Sequence, residues 1–166
     1  MTISTTVQSW IEASPLDAAY KTRLIKELTD NPDIAQKLND AFEKTTDDIP
    51  LIIWNEYKDA PVVLFAKSAF KPQEPGEPGS ILAYVRAYHL GDDFLCSDCY
   101  GQLSCSSCAV EVLQGTLENP EPREEEYDML DIDEEKPATT FTRLGCQSVV
   151  GTEPLLIKIR KPVFKV

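Results

Sequence analysis

No run of eighteen apolar residues occurs in the 166-residue chain, so a membrane-spanning helix of ordinary length is excluded. The first residues carry neither the basic-then-apolar pattern of a secretion signal nor the Arg-rich, acid-poor look of a transit peptide. A cytoplasmic protein is therefore expected, with the mitochondrial matrix as the alternative. Histidine is reduced to a single residue, His89, which excludes a metal centre built on paired imidazoles. That histidine falls in the last turn of an expected helix, where the dipole suits a surface cap better than a ligand. Internal repeats and low-complexity tracts are absent as well.

Positive charge is scarce where negative charge is dense. Residues 91–135 hold fourteen Asp or Glu against the lone Arg123, a local balance of −13 in a chain whose total is −12. Residues 136–166 carry six Lys or Arg against Glu153, or +5, so the molecule is strongly polarised. Phosphate recognition needs a basic footprint, and the dominant field here is negative; nucleic acid is excluded as the expected partner, and a basic protein surface is preferred.

Hydrophobic residues make up 42% of the chain, enough for one sizeable core with an appendage. The seam is expected near Asp48-Ile49-Pro50, dividing a helical extension at 1–48 from a domain at 49–166. Three helical patterns precede it: Val7, Trp10 and Ile11; then Leu16, Ala19, Tyr20, Leu24 and Leu28 behind a Ser14-Pro15 start; then Ile34, Ala35, Leu38, Ala41 and Phe42 behind Asn31-Pro32. Such apolar stripes must be buried, and packing in cis is expected, with docking to a larger redox complex as the alternative. Beyond the seam, Leu51–Trp54 and Pro61–Phe65 read as a hairpin. Residues 71–79 read as a loop, followed by a helix capped by Ser80, carrying Ile81, Leu82, Val85 and Tyr88 and closed by Gly91. Ala109–Leu113 reads as a strand, Arg123–Leu130 as a short acidic helix and Leu155–Arg160 as a closing strand. Trp10 and Trp54 are assigned to the core.

Five cysteines are present, four of them within thirteen residues: Cys96, Cys99, Cys105 and Cys108, with Cys146 far downstream. An odd, clustered set in a reducing compartment points to metal rather than disulfides. Two readings follow from spacing. Cys96, Cys99, Cys105 and Cys108 form two CxxC pairs able to grip one tetrahedral zinc, although only five residues separate the pairs and Cys146 is left idle. Alternatively, Cys99, Cys105, Cys108 and Cys146 act together, three thiolates from one loop and a fourth from afar, as in iron-sulfur ferredoxins.

The C-x5-C-x2-C spacing of Cys99, Cys105 and Cys108 with a distant Cys146 resembles the adrenodoxin-type ferredoxins rather than the plant type, whose first gap is four residues. Two further stretches carry the likeness: Glu125-Glu126-Tyr127-Asp128-Met129-Leu130-Asp131 is similar to the family's acidic recognition helix, and Arg143-Leu144-Gly145-Cys146-Gln147 to the strand delivering its fourth ligand. The resemblance covers roughly residues 50 to 161 and implies an α+β, β-grasp-like 2Fe-2S ferredoxin fold preceded by an all-helical extension. It implies a 2Fe-2S cluster on Cys99, Cys105, Cys108 and Cys146 and a one-electron carrier rather than an enzyme. It also implies Glu125, Glu126, Asp128 and Asp131 as docking residues for a ferredoxin reductase and an electron-acceptor protein. Ala109 departs from the family, whose members often carry His directly after the third loop cysteine. Cys96 is extra to the pattern and is read as a non-ligand, with substitute ligand or redox-sensitive thiol as the alternatives. Small residues Gly101, Ser104, Ser106 and Ser107 suit close approach to an anionic cluster of formal charge about −2, falling to about −3 on reduction. Surrounded by carboxylates, such a centre is expected at low potential, nearer roughly −400 mV than the positive values of His-ligated centres. The competing functional class is a metal-stabilised structural module.

Overall fold

The computed structural model describes residues 2–44, 47–67, 69–97, 101–102, 107–131 and 138–160. Three helices open the chain: α1 (Thr5–Glu12), α2 (Ala18–Thr29) and α3 (Pro32–Glu43). Asn31 caps α3 as expected, its side-chain oxygen accepting from the Ile34 amide at 3.3 Å, with Pro32 at the first helical position. Ser14-Pro15 does not start α2. The Ser14 hydroxyl is turned back on the preceding helix, donating to the Ile11 carbonyl at 2.7 Å, and α2 begins only after Asp17.

The remaining elements are β1 (Asp48–Asn55), β2 (Ala60–Lys67), α4 (Ile81–Ala87), β3 (Ala109–Gln114), α5 (Glu124–Asp131), β4 (Thr142–Leu144) and β5 (Leu155–Ile159). The five strands form one mixed sheet in the order β2-β1-β5-β3-β4. β1 and β5 run parallel, and the other pairs are antiparallel. Ser80 caps α4 through the Ala83 amide at 3.1 Å. The helix ends earlier than Gly91 suggested, because His89 itself takes the left-handed conformation at φ 64° and stands exposed beyond the last turn.

Both faces of the sheet are covered, and this explains the unbroken apolar run in β1. Leu51 and Ile53 point to one side, into a core shared with Leu82 and Val85 of α4 and Leu155 and Ile157 of β5. Ile52 and Trp54 point to the other, where Val7, Ile11, Leu24, Leu28 and Leu38 of the three helices close over them with Phe65, Leu113 and Leu156. The helices thus pack in cis. Polar contacts fix their position at the rim: Tyr20 Oη donates to Glu56 at 3.1 Å, Arg23 pairs with Asp59 at 2.6 Å, and Gln114 donates to the Trp10 carbonyl at 3.3 Å. Trp54 is wholly buried, with the Tyr20 ring at 4.8 Å and the Arg23 guanidinium 5.0 Å from its centroid. No helix among the described residues is long and apolar enough to cross a membrane.

Candidate metal centre

The antiparallel register of β3 and β4 pairs Ala109 with Leu144, which sets residue 108 opposite residue 145. There the Gly145 amide donates to the Cys108 carbonyl at 3.0 Å, and a side chain at 145 would come within 2.8 Å of that oxygen. The chain then turns at the end of β4 and delivers Cys146. Its amide donates to the Cys108 sulfur at 3.4 Å, and both cysteines are fully buried although 38 positions apart in sequence. The turn is held from below by the start of α4, whose otherwise orphan amides at Ile81 and Leu82 donate to the carbonyls of Ser148 and Gly145 at 2.9 and 3.0 Å.

A second wall comes from the Pro- and Gly-rich loop. Gly76 adopts φ 78°, its neighbour Glu77 donates to the Cys146 carbonyl at 2.8 Å, and a Cβ on Gly76 would lie 2.4 Å from that same oxygen. Gly101 in turn sits on Gly76, where a Cβ would lie 2.3 Å from the Gly76 amide nitrogen. Cys99 and Cys105 lie outside the described residues; Gly101, two positions after Cys99 in sequence, sits on the Gly76 backbone that in turn covers Cys146. The segment entering that loop is fastened by Asn55, donating to the Phe94 carbonyl at 3.0 Å, and by Arg86, donating to the Leu95 carbonyl at 2.8 Å.

The donor set fits a thiolate-ligated cluster. Two buried sulfurs share one spot, an amide is aimed at one of them, and three backbone segments approach more closely than any side chain would allow. Ser97, just before the loop, buries a hydroxyl that has no hydrogen-bond partner among the described residues. The zinc reading set Cys146 aside, whereas the fold seats it against Cys108. Cys96 is partly exposed and borders a cavity of about 270 Å³ with Tyr57, Asp92, Asp93 and Phe94.

The acidic helix α5 lies beside β4 and presents Glu125, Asp128 and Asp131 to solvent. Glu126, expected among the docking residues, is not available to a partner. It is 1% exposed and bound by Arg143, whose Nε and Nη2 lie 2.7 and 3.1 Å from its two oxygens. One turn of helix contains both solvated and buried carboxylates, and the run of like residues concealed the difference. Three residues to which the sequence assigned no role stand at the site: Gly76 over the Cys146 carbonyl, Gln147 with Nε2 3.4 Å from the Cys146 sulfur, and Arg123, which donates to Gln147 Oε1 at 2.6 Å. Only the adjacency of Gln147 to Cys146 hinted at a role.

Residues 74–151 match a family model described as the 2Fe-2S iron-sulfur cluster binding domain. Over 71 residues the chain is 41% identical to adrenodoxin-like protein 2, mitochondrial, of Arabidopsis thaliana. That stretch is 42% of this chain and 35% of the relative, so the chain spans about a third of that curated protein's length. Among solved structures, the ISC-like 2Fe-2S ferredoxin FdxB from Pseudomonas putida is similar at TM-score 0.52 and 28% identity, covering 71% of this chain and 95% of that one. Putidaredoxin, an Fe2S2 ferredoxin, is similar in fold at TM-score 0.50 and 17% identity, with 69% and 96% covered. A ferredoxin from Rhodopseudomonas palustris is likewise similar in fold at TM-score 0.50 and 18% identity, with 68% and 97% covered. The mixed sheet and its helices therefore have the expected β-grasp-like form, with the helical extension in front of it.

Proposed function

We propose that the protein, whose residues 74–151 match the 2Fe-2S iron-sulfur cluster binding domain, is a ferredoxin of the adrenodoxin type that shuttles single electrons between a reductase and an acceptor protein. A bound 2Fe-2S cluster supplies the chemistry, the uptake and release of one electron. Cys99, Cys105, Cys108 and Cys146 are the proposed ligands, and Cys96 is not one. The observation that carries this assignment is the meeting of Cys108 and Cys146 beneath the Gly76 and Gly101 backbones. The chain's own residues exclude water from the two sulfurs, present amides to them and hold the turn rigid, which limits rearrangement when charge is added.

Both partners are expected to offer basic surfaces to Glu125, Asp128 and Asp131, which lie exposed on α5 close to the ligand-bearing strand. Contacts of this kind set the encounter rate and its salt dependence more than the chemistry. Residues 1–48 are proposed as an extension that completes the sheet's second face. The cytoplasm, or the mitochondrial matrix, is the proposed compartment. Stopped-flow reduction by a ferredoxin reductase tests the reading. Asp128→Asn with Asp131→Asn is expected to slow association about tenfold at low ionic strength, and salt is expected to erase the difference. Equal rates at low salt overturn the docking surface, and a colourless protein without iron or acid-labile sulfide overturns the carrier itself.

A further inference from the structure

Gln147 follows the last cysteine, and its side-chain amide is buried with two different partners at its two ends. Nε2 lies 3.4 Å from the Cys146 sulfur, and Oε1 lies 2.6 Å from Nη2 of Arg123. The orientation is dictated by chemistry. A guanidinium has no acceptor, so only the carbonyl end of the amide can face Arg123, which leaves the NH2 group for the sulfur. The backbone of Gln147 is pinned on both sides: its amide donates to the Leu144 carbonyl at 3.0 Å, and its carbonyl accepts from Asn119 Nδ2 at 2.6 Å.

Arg123 stands at the other end of this chain of contacts. Its side chain is about half exposed and lies 3.8 Å from Glu77. Its carbonyl accepts from the amides of Glu126 and Tyr127, so α5 starts from this residue. It is also the lone Lys or Arg between residues 91 and 135. A cation at the surface thus donates to an amide, and the amide donates to a buried sulfur. Consecutive hydrogen bonds of one direction polarise each other, most strongly where solvent is excluded. A donor on a cysteine sulfur stabilises the more negative, reduced state of a 2Fe-2S site more than the oxidised state.

We propose that Gln147 is a positioning residue for electron transfer: held by Arg123, it relays the surface charge at the root of α5 to the Cys146 sulfur and raises the midpoint potential. The proposal deepens the electron-carrier reading and rests on it. Its test uses the full-length, cluster-loaded protein, with iron and acid-labile sulfide measured first and the midpoint then determined by spectroelectrochemical titration. Gln147→Leu is expected to disfavour reduction about tenfold, which for a one-electron couple is a midpoint about 59 mV lower. Arg123→Gln is expected to lower it less, Arg123→Lys less still, and the Fe–S(Cys) stretching bands in resonance Raman spectra are expected to move in both Gln147→Leu and Arg123→Gln. In the Gln147→Leu background, Arg123→Gln is expected to add little, because the route passes through the amide.

A loaded Gln147→Leu protein with an unchanged midpoint overturns the relay. So does an Arg123→Gln shift that persists undiminished in the Gln147→Leu background, since that is a field acting through space. If Gln147→Leu does not retain the cluster, the surface variants decide alone: a lowered midpoint with displaced Raman bands in Arg123→Gln supports the relay, and unchanged values overturn it. Wild-type protein without iron and sulfide overturns the electron-carrier reading and the relay with it, whereas failure of the relay alone is read on loaded protein.

Discussion

Arg143 and Glu126 form a two-pronged ion pair inside the protein, with 7% and 1% of their side chains exposed. Glu126 belongs to α5 and Arg143 to β4, three positions before Cys146. Glu126 also accepts from the Leu144 amide at 2.9 Å, and Arg143 also donates to the Asn119 carbonyl at 2.9 Å. The pair therefore rivets the acidic helix to the strand that delivers a cysteine to the site. Every other carboxylate of α5 is solvated.

Removing one partner of such a pair leaves an uncompensated buried charge. Glu126→Ala is expected to cost about 3–5 kcal/mol, while Glu125→Ala at the exposed neighbouring position stays within about 0.5 kcal/mol of wild type. Guanidinium denaturation of both variants, followed by fluorescence and by the cluster's visible absorption, measures the contrast. Comparable midpoints for the two would refute it.

The ligand set separates by mutation. Cys146→Ser is expected to lose or rewire the cluster, because the buried position against Cys108 has no other thiol to fill it among the described residues. Cys96→Ser is expected to keep the full visible spectrum and the iron and sulfide content. The reverse pattern in iron analysis and absorption would transfer the ligand role to Cys96.

The N-terminal helices are expected to be part of the folding unit. Leu38→Ala removes a fully buried side chain from the core that α3 shares with Ile52 and Trp54, and about 2–5 kcal/mol of stability should go with it. Truncation before Asp48 uncovers Ile52, Trp54, Phe65, Leu113 and Leu156 on one sheet face, and light scattering is expected to report aggregation. A soluble, cluster-bearing fragment would show that the extension serves a partner instead.

Alkaline pH is expected to destabilise the fold through Tyr84. Burial, and then the negative field of Asp47, push its phenol above the ordinary 10.0, and its hydroxyl donates to the Lys67 and Phe70 carbonyls at 3.4 and 3.2 Å. The folded state thus holds this proton more tightly than the unfolded chain does. The contribution is fully present below the unfolded value and is lost as pH rises through the folded one. Tyr20 shifts in the same direction, by burial and then by its hydrogen bond to Glu56. Urea midpoints between about pH 8 and 11 should fall less steeply in Tyr84→Phe than in wild type, and parallel curves would exclude the phenol as a cause.

Much of the chemistry was written along the chain. Cysteine spacing is local and covalent, so a C-x5-C-x2-C loop with a distant Cys146 could be recognised without coordinates, and caps such as Asn31-Pro32 and Ser80 are likewise local. Ser14-Pro15 misled because the Ser14 hydroxyl donates back to the Ile11 carbonyl and accepts only from the Leu16 amide, so it closes α1 while α2 begins after Asp17.

What tertiary structure alone decided is which residues of similar type do different work. The carboxylates of α5 are alike in sequence, yet Glu126 is buried and Glu125 is not, because an arginine on a strand seventeen positions later turns inward to meet it. The sequence by itself determined which donors exist and how closely three of them are tied. The fold determined where they meet, since burial, close approach of glycine backbones and long-range ion pairs depend on distances between segments that no local pattern encodes.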